Sequence, residues 1–191
     1  MAVVILLKSM NKHKHKEDVR NRIEIALNYF PELKDETIYV GILDEKDDAN
    51  GRADSLNRII KFPVDAIPSF VTIFHELAHL AIRKRVEQGE KLPTTSEEFC
   101  SIFAMARMPP ELIDEDRIPY LGVPKIPMCL IPPLCKKALE YRKKHRDYIR
   151  WLREKAGLNI WGQPDEETRM RLIREVEAIL RGGGSDEDDP N

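Results

Sequence analysis

The chain has 191 residues, 42% of them hydrophobic, which suits one ordinary domain with a real core and a small appendage. A net charge of −2 argues against a chain dedicated to nucleic-acid binding, and no stretch reaches the length of a membrane span. Three cysteines, Cys100, Cys129 and Cys135, are sparse and odd in number, which fits a reducing, cytoplasmic setting better than a disulfide scaffold.

Ala2 to Leu7 is apolar, lacks a basic lead-in and is too short for a signal-peptide core, so it reads as a buried strand. His13 and His15 alternate with lysines and read as a flexible basic turn. From Glu17 to Phe30, Val19, Ile23, Ala26, Leu27 and Phe30 share one helical face, and Pro31 ends the helix. Thr37 to Leu43 is β-branched and aromatic, hence a strand. An acidic loop from Asp44 ends in Asn50-Gly51, a strong turn signal. Arg52 to Phe62 follows as a second, antiparallel strand, polar enough to stand at a sheet edge.

The next helix is expected over Ile67 to Gln88, capped by Asp65 or Ser69. Its first half is apolar all round and should be buried; Arg83 to Gln88 should emerge into solvent. Thr94, Thr95 or Ser96 caps another helix, with Glu97 and Glu98 in its first turn, where carboxylates suit the dipole. Pro109 to Pro133 carries seven prolines in 25 residues and no regular element is expected there. Its many apolar residues point to a wrap packed on the core. Leu134 to Lys155 reads as one amphipathic helix and Pro164 to Arg181 as the last. The chain is therefore expected to be α+β. Its core would be residues 1–110, with a proline-rich wrap or linker over 111–133. A helical extension over 134–181 and a disordered acidic tail over 182–191 would complete it.

The buried helix holds His75-Glu76-Leu77-Ala78-His79. Residues four apart share a helix face, so His75 and His79 can offer two imidazoles to one metal ion. Glu76, one position round, is placed to take a proton from water. It is the single charged residue between Ala66 and Ile82, and a charge in such a helix is costly without a partner or a job. A catalytic zinc takes three protein ligands and keeps one position open. Glu98 lies nineteen residues after His79 and Glu97 eighteen after. A short polar loop can fold either back beside the histidines.

With this motif the chain resembles the gluzincin class of zinc metallopeptidases, in which a glutamate on a second helix completes the site. Two groups look closest: the minimal archaeal gluzincins (minigluzincins) and the ImmA/IrrE-like regulatory peptidases of phages and bacteria. In the second group the glutamate helix reads approximately Glu-Ala-Asn-x-Phe-Ala-x-x-Leu-Leu-Met-Pro. Glu98 to Pro109 aligns with it without a gap, matching at Glu98, Met108 and Pro109 and departing at Phe99, Cys100 and Ile102. Many gluzincins carry an aspartate four residues after the ligand glutamate; that place is Ile102 counted from Glu98, or Ser101 counted from Glu97.

The resemblance implies zinc held by His75, His79 and Glu98, with Glu97 as the alternative, and peptide hydrolysis with Glu76 as general base. It implies a small, mostly antiparallel sheet packed on the metal helix and the glutamate helix. Such enzymes add a Tyr or His donor, for which Tyr120 is the first candidate and His145 the next. Cleavage is expected to be narrow or regulatory, on a peptide or protein aligned along the Arg52–Phe62 edge strand.

Two further expectations compete with this one. Cys135 to Lys155 carries nine Lys or Arg and three Asp or Glu, with Tyr141, Tyr148 and Trp151 interleaved, a face that can contact nucleic acid or an acidic partner. A thiolate from Cys129 or Cys135 can occupy an open zinc position and keep the site latent.

Overall fold

The computed structural model describes residues 2–182. Four strands, β1 (Val3–Leu6), β2 (Thr37–Ile42), β3 (Arg52–Asp54) and β4 (Ile59–Phe62), form one sheet in the order β1-β2-β4-β3. Helix α1 (Lys16–Leu27) carries the chain from β1 to β2, the crossover that a parallel pair requires. The α+β class holds, but the mostly antiparallel sheet does not. Both β1–β2 and β2–β4 are parallel, and β3–β4 alone is antiparallel.

The reason lies in the 52–62 segment, which is a hairpin and not one strand. The chain runs first to the outer position as β3 and returns as β4 beside β2. Polarity sorts the two: Arg52-Ala53-Asp54 takes the edge, and Ile59-Ile60-Lys61-Phe62 takes the inner place, with Ile60 and Phe62 fully buried. The Asp54 carboxylate closes the turn by accepting from the Asn57 backbone and side-chain amides at 3.1 and 2.7 Å. The other edge is β1. Val3 and Ile5 are exposed there, so the strand expected to be buried is only half covered.

Helix α2 (Phe70–Glu87) is buried on every side from Val71 to Ala78, as its apolar first half requires. Ser69 caps it by accepting from the Thr72 amide at 3.0 Å. A second cap comes from the wrap: Asp114 accepts from the Phe70 amide at 3.0 Å, from the Val71 amide at 3.4 Å and from Arg22 at 2.8 Å. These are the amides that a helix start leaves without intrahelical partners. Ser96 caps α3 (Glu97–Met105) by accepting from the Phe99 amide at 3.1 Å.

The proline-rich stretch is a wrap, with Ile118, Leu121 and Ile126 buried in the same apolar cluster as the sheet. The helix expected over 134–155 is two helices, α4 (Ile131–Tyr141) and α5 (Tyr148–Lys155). Between them Arg142 to Asp147 is wholly polar and has no apolar side chain to bury. The Tyr141 ring instead stacks on His145 and Trp151, with centroids at 4.0 and 5.2 Å, and this folds the two helices together. The basic face is divided accordingly. Lys137, Arg150, Arg153 and Lys155 pair with Glu140, Glu154, Glu98 and Glu175, and Arg142 lies over the Phe99 ring.

Helix α6 (Glu166–Leu180) closes the fold, capped by Asp165. The acidic tail expected from residue 182 lies, beyond Gly182, outside the described residues. Among the described residues no helix is long and apolar enough to cross a membrane.

Candidate metal centre

Helix α2 presents His75 and His79 on one face, and α3 packs against that face with Glu97 at its first position. Oε2 of Glu97 lies 3.0 Å from Nε2 of His75 and 3.1 Å from Nε2 of His79, and the two Nε2 atoms are 3.3 Å apart. Two bonds of about 2.0–2.1 Å at a tetrahedral angle set donor atoms about 3.3 Å apart, so the triangle has the size that one metal ion needs. His75 is buried, His79 is largely buried and the Glu97 side chain is 43% exposed, so the site opens to solvent on the Glu97 side.

The carboxylate that stands with the two histidines is thus Glu97, the alternative of the two expected, and Glu98 is turned away. Glu98 stands about 100° further round the helix. Its Oε1 accepts from Arg153 at 2.5 Å and ties α3 to α5. The ungapped alignment that favoured Glu98 counted along the chain, whereas the histidines read a helix face. Glu97 shares its face with Cys100 and Ser101, three and four residues on, and both reach the histidine rings. Two polar residues at that spacing in an otherwise apolar helix are the signal that Glu98 lacks, since its i+4 neighbour is Ile102.

Ser101 decides the chemistry of His75. Its side chain is fully buried, with Oγ 2.6 Å from the Pro119 carbonyl oxygen and 3.1 Å from Nδ1 of His75. A carbonyl only accepts, so the single hydroxyl proton goes to Pro119 and Oγ must accept from Nδ1–H. In the neutral ring Nε2 then carries a lone pair, and that lone pair faces the Glu97 carboxylate. The lone pair of His75, the Nε2 atom of His79 and the Glu97 carboxylate converge closely enough for one cation to be held between them. Sγ of Cys100 stands 3.3 Å from Nδ1 of His79. Burial, then the Glu97 and Glu76 charges, push that thiol up to about 12, so it remains neutral, able to donate its S–H weakly or to accept weakly.

The charges around the site follow from the same geometry. When the His75 ring is protonated, its Nε2–H donates to Glu97 and holds that carboxyl below the usual range, against the opposing effect of burial. Burial, with the neighbouring His75, lowers His79. Burial, then the Glu97 charge, pushes Glu76 up to about 8, and Arg52 pulls weakly the other way. Gly51, just ahead of β3, lies against this carboxylate: a Cβ there would stand 2.8 Å from Oε1 of Glu76 and 3.0 Å from a Thr72 methyl. The edge strand can start beside Glu76 because residue 51 has no side chain.

Tyr120 comes to the site from the wrap. Its ring stacks on His75, with centroids 5.2 Å apart and planes at 27°, and it is 59% exposed. Burial, then the Glu97 and Glu76 charges, raise its hydroxyl, which keeps it a donor. Its backbone is left-handed, φ 59°, in a turn where Ile118 O accepts from the Leu121 amide at 3.1 Å. A non-glycine residue there costs about 1 kcal/mol or more. His145, the other candidate donor, stacks on Tyr141 instead. Neither thiol considered for latency stands with the histidines: Cys135 is buried in α4, and Cys129 lines a surface cleft with Asp114 and Met128. Among the described residues His75, His79 and Glu97 form the one group able to hold a metal ion. No family model, no curated protein and no solved structure matches the chain.

Proposed function

We propose that the chain is a zinc-dependent metallopeptidase of the gluzincin type, working in a reducing cytoplasm and acting on a peptide or protein substrate with narrow or regulatory specificity. The observation that carries this reading is the convergence of three lone-pair donors, His75, His79 and Glu97, beside the buried carboxylate of Glu76. The donor set and spacing fit zinc, and His75 has its other nitrogen already engaged by Ser101. Zinc held there supplies Lewis acidity, which acidifies water and polarises a carbonyl.

The remaining steps belong to the chain's own residues. Burial makes Glu76 more basic than an exposed carboxylate, so in its ionised form it is suited to take a proton from water and hand it to the leaving amide nitrogen. The Tyr120 hydroxyl donates to the carbonyl oxygen as charge develops on it. The free edge of β3 gives an extended peptide a strand to pair with, and Gly51 leaves room for its approach to Glu76. Narrow specificity is supported by the two borders of the site, the Tyr120 turn and β3.

The test is metal analysis followed by a peptide-library cleavage assay. One zinc per chain is expected, with cleavage that a chelator abolishes and added zinc restores. Glu76→Gln is expected to retain the zinc and lose at least about 10²-fold in rate. A protein that holds no stoichiometric zinc, or proteolysis that survives Glu76→Gln, overturns the reading.

A further inference from the structure

The hydroxyl of Ser101 touches two things that the proposed mechanism needs, the ring of His75 and the turn that carries Tyr120. Its acceptor, the Pro119 carbonyl, belongs to the peptide joining Pro119 to Tyr120, the central peptide of the Ile118–Leu121 turn. Proline at the second position and a left-handed third residue are the pattern of a type II turn. Turns of types I and II differ by a flip of that central peptide. In type I the third residue has an ordinary negative φ, which suits tyrosine far better than the 59° observed. The turn therefore has a relaxed alternative that frees Tyr120 of strain. Reaching it requires the Pro119 carbonyl to swing away from Ser101.

We propose that Ser101 is a positioning residue that couples the metal centre to the tyrosine turn. Through one buried hydroxyl it fixes the His75 tautomer and pins the Pro119–Tyr120 peptide in the strained orientation that stacks Tyr120 on His75. The path runs from His75 Nδ1–H to Ser101 Oγ, and from the Ser101 hydroxyl proton to Pro119 O, at 3.1 and 2.6 Å. Each hydrogen bond in such a chain polarises the next. The hydroxyl is fully buried, so water does not replace it easily. Gly122, with φ 107°, and the paired bonds between Ile118 and Gly122, both 2.9 Å, hold the base of the turn independently. The flip can thus be confined to the Pro119–Tyr120 peptide. This inference rests on the metallopeptidase reading for its purpose, but not for its test.

The experiment compares wild type with Ser101→Ala, both free of metal, labelled with 15N in histidine and 13C in tyrosine. In wild type the His75 ring is expected to show a protonated Nδ1 and an unprotonated Nε2. Tyr120 is expected to show ring resonances displaced by the stacked imidazole. In Ser101→Ala, His75 should become a mixture of tautomers and the Tyr120 resonances should move to unstacked positions. Zinc affinity, read by chelator competition, should fall 10- to 100-fold. Ser101→Thr, which keeps the hydroxyl, should restore all three.

If Ser101→Ala leaves the Tyr120 resonances in place while the tautomer changes, the hydroxyl serves the histidine alone and the coupling is wrong. If Ser101→Ala fails to fold, the wild-type spectrum still decides: an unprotonated Nδ1 on His75 overturns the proposal. A wild-type protein that binds no zinc sinks the metallopeptidase reading, while the tautomer and the tyrosine shifts still judge this one.

Discussion

At the scale of single residues, the choice between Glu97 and Glu98 is the sharpest. Glu97→Gln removes the oxygen that both Nε2 atoms face. Zinc affinity, measured by competition with a chromophoric chelator, is expected to fall at least about 100-fold, or about 2.7 kcal/mol. Glu98→Gln is expected to leave zinc affinity unchanged. It loses only a half-exposed pair with Arg153 and costs at most about 1 kcal/mol of stability, read from the denaturant midpoint. Gly51→Ala tests the other side of the site. Its Cβ would meet Oε1 of Glu76 at 2.8 Å, so the carboxylate must move. Cleavage is expected to drop at least about 10-fold, since misplacement of a catalytic group by about 1 Å already costs more. Zinc affinity should stay near the wild-type value, because no metal donor is touched.

At the scale of elements, the wrap and the metal helix are one assembly. Asp114 joins the first amides of α2 to Arg22 of α1, and so holds the start of the helix that carries both histidines. Asp114→Ala is expected to cost about 1–2 kcal/mol, combining a lost cap with a lost charge at a helix start. Urea unfolding with and without saturating zinc measures it. Similar losses in both states would place the effect in the scaffold. The hairpin β3–β4 shows how polarity sets topology at this scale. Its polar arm cannot occupy the inner position, where Ile60 and Phe62 are fully buried. That preference makes β2–β4 parallel and leaves β3 as the edge beside Glu76.

At the scale of the whole molecule, the sheet, the wrap and the C-terminal helices share one apolar cluster, which includes Phe62, Phe74, Ile118, Leu134, Leu152 and Val176. Around it, ion pairs tie distant segments. Glu36, just before β2, meets Lys84 of α2 and Arg58 of the hairpin turn, and Arg58 also meets Glu87. Lys84 above all, then Arg58, hold Glu36 below the usual carboxylate range. Its folded pKa is thus below its unfolded value of about 4.3. The pair stabilises the fold fully above that value, and the contribution is lost as pH falls through the folded pKa. Glu87 and Glu90, lowered chiefly by Arg83 and Arg85, act in the same direction. Glu36→Gln is therefore expected to be less stable than wild type by about 1–2 kcal/mol at neutral pH. The difference should close on acidification below about pH 4. A gap in thermal midpoint that persisted at pH 3 would show that Glu36 acts through packing.

Local patterns in the sequence were sufficient for most elements. Hydrophobic period placed α1, α2, α3 and α6, and Ser69 and Ser96 supplied the caps of α2 and α3 where capping chemistry requires. The His75-Glu76-x-x-His79 spacing placed two imidazoles on one face, because that spacing is set by the helix itself. Tyr120 could be named as a candidate, and it does stand on His75. What lay beyond reach were relations between elements. Parallel pairing depends on where β4 inserts. The break at 142–147 depends on Tyr141 stacking on His145 and Trp151. The Glu97 assignment depends on how α3 turns toward α2. The role of Ser101 needs the Pro119 carbonyl, eighteen residues away in sequence and 2.6 Å away in space. A helix's own geometry is written in its sequence period, whereas its rotation against a neighbour is settled by packing, and which carboxylate faces the two histidines is a matter of rotation.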